Sequence, residues 1–246
     1  MIEQLKAIPK LLRLSKTLFR AGYLGKVPDD LPGKVLWQQQ RAIEFLDALQ
    51  VEVRCQGGFP TQGLIVCNHL SYLDILAIAS QGPVVFVAKS ELSEWPLIGK
   101  LLQRAGTILA YRNQPLKSAQ TADEIESALS SKLPVVLFPE GTSTNGEKVQ
   151  TFRSPFFQPA QAVSADITPA AILYTSESGD PKNDICYWGD HVFSLHIMKL
   201  LTLRKVVARL SFGDAQPCCP DRKESALYFH KQVSKLHQAL KAKSGS

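Results

Sequence analysis

His69 and Asp74 stand five positions apart in Asn68-His69-Leu70-Ser71-Tyr72-Leu73-Asp74, and their types suit proton transfer. An aspartate can hold one imidazole nitrogen and leave the other free to accept a proton. The histidine follows Leu64-Ile65-Val66-Cys67, an apolar run that reads as a buried strand. The aspartate opens Ile75-Leu76-Ala77-Ile78-Ala79, which reads as a helix. The pair therefore brackets a strand-to-helix turn, where α/β folds place their chemistry. The same residues also fit a capped helix beside an ordinary loop histidine.

A second segment weighs on the choice. Val135-Val136-Leu137-Phe138 is another apolar strand, and it runs into Pro139-Glu140-Gly141-Thr142-Ser143-Thr144-Asn145-Gly146, a turn rich in glycine and hydroxyls. NHxxxxD followed by FPEGT about seventy residues on resembles the glycerophospholipid acyltransferase family, which includes the 1-acyl-glycerol-3-phosphate acyltransferases. Lys89, Pro96, Gly99, Gly106 and Arg112 look like that family's second block. Thr168-Pro169-Ala170-Ala171-Ile172 looks like its fourth. The blocks come in the family's order and cover roughly residues 60 to 215.

Acyl transfer from a thioester to an alcohol needs a base, oxyanion stabilisation and two substrates held together. His69 is the candidate base and Asp74 the residue that fixes its tautomer. Arg112 can bind a phosphate bidentately. The resemblance adds Glu140 and Gly141, the glycine letting backbone approach the ligand. Glu140 can orient the acceptor's hydroxyl or hold Arg112, Thr142 can add a hydroxyl donor, and Lys89 a charge. No acyl-enzyme is required, and GxSxG is absent. No metal or cofactor is expected. Acyl-CoA or acyl-carrier protein is a substrate, the acyl donor. The third block usually reads FPEGTR, and here Ser143 replaces the arginine. Arg153 resembles the basic residue that the family has downstream. The change leaves room for an acceptor without a phosphate, and the family includes acyltransferases acting on lyso-ornithine lipid.

The elements that position these residues alternate. Strands are expected at Val51–Cys55, Leu64–Cys67, Val84–Ala88, Thr107–Tyr111, Val135–Phe138, Ala170–Tyr174 and Val206–Phe212. Helices are expected at Leu73–Ala79, Pro96–Arg104, Ser118–Leu129, Val192–Leu203 and about Lys223–Lys241. Two more precede them, roughly Leu5–Gly22 and Val35–Leu49. The expected fold is α/β: a mixed central sheet flanked by helices, preceded by an N-terminal amphipathic helical element. The resemblance implies that residues 1–50 are a helical membrane-contact element and 51–246 the acyltransferase domain. On the first helix Lys6, Lys10, Arg13, Lys16 and Arg20 fall on one arc, with Leu5, Ile8, Leu11, Leu12, Leu18 and Phe19 opposite. This is the pattern of an interfacial anchor on anionic lipid, and equally of a surface helix with a solvated basic face. Pro9 sets a possible later start for the regular helix.

Composition narrows the partners. The 246 residues are 45% hydrophobic and 20% charged, values of a folded chain. A net charge of +6 suits nucleic acid, a membrane surface or a phosphate-bearing substrate. No nucleic-acid module is recognisable, so none is expected as a partner. Cys55, Cys67, Cys186, Cys218 and Cys219 form no CxxC pair and read as reduced thiols. No apolar stretch reaches the roughly 18 residues of a membrane span. The expected location is the cytoplasmic face of the membrane, peripheral or monotopic. The leading expectation is an enzyme acylating 1-acyl-glycerol-3-phosphate, or lyso-ornithine lipid. The expectation from a different class is an inactive peripheral membrane-binding protein.

Overall fold

The structure is a computed structural model and describes residues 2–111 and 114–244, with the side chains of residues 2–6 and 115 outside the description. Two helices, α1 (Ile2–Tyr23) and α2 (Leu31–Leu49), lead into β1 (Val51–Gln56) and β2 (Leu64–Cys67). Then follow α3 (Leu73–Ala79), β3 (Val85–Lys89), α4 (Ile98–Arg104), β4 (Ile108–Ala110), α5 (Pro115–Ser130) and β5 (Val135–Leu137). The chain closes with α6 (Gln158–Ala162), β6 (Ile167–Thr175), α7 (Pro181–Asp184), α8 (Phe193–Thr202), β7 (Val206–Phe212) and α9 (Arg222–Ala242). Short 3₁₀ turns occupy Ser90–Glu94 and Ser154–Phe157.

The strands form one sheet in the order β1-β7-β6-β2-β5-β3-β4. Neighbours run parallel except β6 and β7, which pair antiparallel from Ala170↔Phe212 to Thr175↔Val207. The sheet is mixed, as the alternation of strands and helices predicts. All four residues of β2 are buried, because β2 is central and covered on both faces. Its side chains alternate: Ile65 and Cys67 join one core cluster, Leu64 and Val66 the other. The first cluster also takes Leu14 of α1, Phe45 and Leu46 of α2, Leu73 and Ile78 of α3, and Leu200 of α8. The second takes Ile125 and Leu129 of α5 and Phe229 and Val233 of α9. Each fully buried Leu, Ile or Phe contributes about 1.5–3 kcal/mol, so α1 and α2 are held to the sheet by a shared core.

Element existence follows the sequence closely, and the ends differ. Strand β6 extends back through Pro169 to Ile167. Its pairing with β7 starts only at Ala170, so the proline's missing N–H interrupts no bond there. Helix α1 runs through Pro9, which is exposed, so the carbonyl deprived of a partner lies on the solvent side.

The first helix carries a correction. Lys10 is 8% exposed and leaves the expected basic arc. It shares a stripe with the buried Ala7, Leu14 and Ala21, spaced three, four and seven positions apart. Its ammonium donates to the carbonyl of Leu203, 2.8 Å away at the C-terminal end of α8, where a cation is favoured. Burial lowers the Lys10 pKa from its ordinary value. The helix is therefore three-sided. Arg13, Lys16 and Arg20 form one exposed side, and Ile8, Leu11, Leu12 (66% exposed) and Phe19 form another. Among the described residues no helix is long and apolar enough to cross a membrane.

Candidate active site

At the carboxyl end of β2 the main chain leaves the sheet, and a side chain takes its place. Asn68 donates its amide to the Ile172 carbonyl at 3.0 Å and accepts the Ile172 N–H at 2.9 Å. The ladder with β6 thus continues for one more rung, while the backbone turns outward at His69. Asp74, in the first turn of α3, is fully buried. Its Oδ2 meets His69 Nδ1 at 2.7 Å and accepts the backbone N–H groups of Leu70 at 2.7 Å and Ser71 at 3.1 Å. Its Oδ1 accepts the Tyr174 hydroxyl at 2.7 Å. Asp74 therefore closes the turn that precedes its helix, and the helix's own first residues get no side-chain cap. An ionised carboxylate only accepts, so Nδ1 carries the proton and Nε2 has a free lone pair. The histidine side chain is 23% exposed, enough for a substrate to reach it.

The segment after β5, the neighbour of β2, grips the same histidine from three sides. Phe138 stacks on the imidazole with ring centroids 4.1 Å apart. Glu140, 4% exposed, accepts the His69 N–H on Oε1 at 2.9 Å and the Gln150 N–H on Oε2 at 3.0 Å. Thr144 donates its N–H to the His69 carbonyl at 2.9 Å. The two Glu140 oxygens are spoken for by backbone, so its role in this arrangement is to fix the turn that carries His69. Burial pushes its carboxyl up to about 7, against the downward pull of the two N–H groups. Gly141 has φ +73°, a conformation that favours glycine. An added Cβ there would stand 3.1 Å from the Arg153 Nε, so the guanidinium lies over this turn. Ser143, where the family usually has arginine, donates its hydroxyl to the Tyr187 carbonyl.

The remaining expected site residues are distributed along one edge. Lys89 ends β3 and Thr142 follows Gly141, both exposed. Strands β2, β5, β3 and β4 are parallel neighbours, so His69, Glu140, Lys89 and the end of β4 all lie at their carboxyl edge. At about 4.8 Å per strand, Lys89 is roughly 10 Å across the sheet from β2. Arg112, two residues past β4, lies outside the described residues. Cys67 is fully buried beside the pair, and its thiol is pushed well above the ordinary range, first by burial and then by the charges of Asp74 and Glu140. A thiolate nucleophile is thereby disfavoured. Among the described residues no group of three or more His, Cys, Asp or Glu could hold a metal ion.

Three contributors escaped the sequence reading. Asn68 reads as a turn residue, Phe138 as the end of a strand and Tyr174 as a core aromatic, sharing the period-two face of Ala170 and Ile172. Only the pairing of β2 with β5 and β6 brings Phe138 and Tyr174 to His69 and Asp74 and gives Asn68 its partner Ile172.

This geometry coincides with a family match. The Acyltransferase family model matches residues 50–173, half of the chain, and the chain belongs to that family. A lyso-ornithine lipid O-acyltransferase of Pseudomonas aeruginosa is 33% identical over 158 residues, 63% of this chain and 59% of that protein. A 1-acyl-sn-glycerol-3-phosphate acyltransferase of Neisseria meningitidis is 29% identical over 226 residues, 88% of this chain and 85% of that one. Among solved structures, PlsC, the 1-acyl-sn-glycerophosphate acyltransferase of Thermotoga maritima, superposes with a TM-score of 0.69 over 98% of this chain and 95% of its own. At 18% identity that likeness speaks for the fold.

Proposed function

We propose that this protein moves a fatty acyl group from an acyl thioester, acyl-CoA or acyl-carrier protein, to the free hydroxyl of a lysophospholipid, with 1-acyl-glycerol-3-phosphate as acceptor and phosphatidic acid as product. The observation that carries the reading is the buried Asp74 carboxylate 2.7 Å from His69 Nδ1, which leaves Nε2 to act as a base. Nε2 takes the acceptor's hydroxyl proton as that oxygen attacks the thioester carbonyl. The C–O bond forms and the carbonyl becomes a tetrahedral oxyanion. The C–S bond then breaks, and the leaving thiolate takes the proton back from His69. Asp74 stabilises the imidazolium between the two steps. Base catalysis of this kind contributes about 10²- to 10⁴-fold.

For the headgroup, Arg153 over Gly141 supplies the cation missing at Ser143, with Lys89 on the same edge and Arg112 as the expected third. A second reading, lyso-ornithine lipid as acceptor, is favoured by Ser143 itself, whose hydroxyl is tied to Tyr187. The lyso-ornithine lipid O-acyltransferases among the relatives point the same way. The acceptor is a membrane lipid, so the site must reach an interface. The apolar side of α1 serves this, together with Val192 just before α8 and Leu195 (70% exposed) and Met198 of α8, which packs against α1. Arg13, Lys16 and Arg20 flank it and attract anionic headgroups.

The test supplies one acyl-CoA with each lysolipid and follows free CoA and the diacyl product by mass spectrometry. Acceptor-dependent CoA release that falls below a tenth in His69→Ala supports the reading. Turnover above a tenth in a folded His69→Ala refutes base catalysis by His69.

A further inference from the structure

We propose that Tyr174 is a positioning residue of the site, setting through Asp74 how readily His69 accepts a proton. The inference rests on reading His69 as the base. The Tyr174 hydroxyl donates to Asp74 Oδ1 at 2.7 Å, and the opposite oxygen meets His69 Nδ1 at 2.7 Å. Phenol, carboxylate and imidazole thus form one chain of short bonds. Its inner two members are buried, Tyr174 at 3% exposure and Asp74 at 0%. Bonds to an ionised carboxylate are about twice as strong as neutral ones, and chains of them polarise one another in a low-dielectric interior.

The fold holds the phenol in place from two directions. Tyr174 lies two residues beyond Ile172, the residue that Asn68 clamps with both amide atoms. On the other side of β6 it pairs in register with Ala208 of β7. The fixed strand puts the ring on the same face as Ala170 and Ile172, beneath α3. Burial and the Asp74 charge push the phenol well above its ordinary range, so it stays a donor throughout the pH range of an assay.

The sign of its effect follows from charge sharing. The O–H draws negative charge toward Oδ1 and weakens the hold of Oδ2 on an imidazolium. Without it the carboxylate pairs more strongly with the protonated ring, and His69 stays protonated to higher pH. Other ionisable groups face the pair: Glu140 from the segment after β5, Cys67 at the end of β2 and Cys186 after α7. Both thiols are pushed up by burial and stay neutral, but Glu140 itself titrates at about 7 and can shape a pH profile. The histidine must therefore be read directly as well as through turnover.

Two variants are compared with wild type: Tyr174→Phe, and 3-fluorotyrosine at position 174, which is a stronger donor of nearly the same volume. The pH profile of kcat/KM is recorded on the acceptor that the protein consumes, and the His69 ring is titrated by NMR without substrate. Tyr174→Phe is expected to move the His69 titration and the acid limb upward by about 0.5–1 pH unit. Activity would then fall about three- to tenfold below the limb and converge with wild type above it, at unchanged KM. The fluorinated residue is expected to move both downward. If both profiles superimpose on wild type, Tyr174 is a core residue only and the inference falls, whatever its melting temperature. If Tyr174→Phe does not fold, the fluorinated protein decides, and an unmoved His69 titration overturns the inference. If His69→Ala stays active, the base reading fails, while the NMR titrations still test whether tyrosine, aspartate and histidine are coupled.

Discussion

Replacing Asp74 by asparagine removes one charge and alters little else. In the serine-protease triad the same exchange flips the histidine tautomer and costs about 10⁴ in kcat. Here two backbone N–H groups, from Leu70 and Ser71, point at the Oδ2 position together with His69. They demand an acceptor, so the asparagine oxygen must sit there and its NH₂ must face Tyr174. The tyrosine hydroxyl can rotate to accept that NH₂ in place of donating to Oδ1. The imidazole keeps its Nδ1–H donor and its orientation, and the histidine stays in the productive tautomer. What is lost is the attraction between carboxylate and imidazolium. With charge centres about 4 Å apart and an effective dielectric near 20, that is about 4 kcal/mol at full proton transfer. A transition state with the proton partly transferred feels part of it. The expected loss in kcat is about 10²- to 10³-fold, with an acid limb displaced to lower pH. Steady-state release of thiol from acyl thioester with saturating lysolipid measures it, beside a denaturant melt to show that the fold holds. A loss of 10⁴ or more with an intact fold would mean that the tautomer flips and that the two N–H groups do not govern it. A loss under tenfold would mean that no imidazolium develops.

Glu140 should make stability pH-dependent with a definite sign. Its carboxyl titrates at about 7 in the fold, above its ordinary 4.5, so its stabilising contribution is complete below about pH 4.5 and is lost as pH rises through 7. Glu140→Gln lacks this ionisation, so the variant should gain relative to wild type between pH 5 and 8.5, by up to about 3 kcal/mol. Denaturant melts at both ends check this, and a pH-independent difference would contradict the raised carboxyl. On α1, Arg13→Glu, Lys16→Glu and Arg20→Glu together should weaken binding to anionic vesicles by more than about 10²-fold, since about 1 kcal/mol goes with each cation lost and the new carboxylates add repulsion. Lys10→Glu should instead destabilise the fold by setting a carboxylate against the Leu203 carbonyl. Co-sedimentation and melting separate the two, and unchanged co-sedimentation of the triple variant would mean that α1 is only a packed surface helix.

The sequence by itself determined what depends on neighbours along the chain. Apolar and alternating runs marked the seven strands, because a strand must be apolar on each face it buries, whichever partner it finds. The five-residue spacing placed His69 and Asp74 across one turn, within reach of the 2.7 Å contact that the fold makes. Tertiary structure decided what depends on partners far away in sequence. Glu140 lies 71 positions from the N–H it accepts, Tyr174 lies 100 from Asp74, and Lys10 lies 193 from the carbonyl it caps. A helical wheel sorted Lys10 with the other cations because it weighs charge and angle and cannot see the end of α8. Tyr174 looked like any strand aromatic because its hydroxyl gains meaning only once β6 has paired with β2. Such contacts are set by sheet order and register, which bring together segments whose local patterns carry no mark of each other.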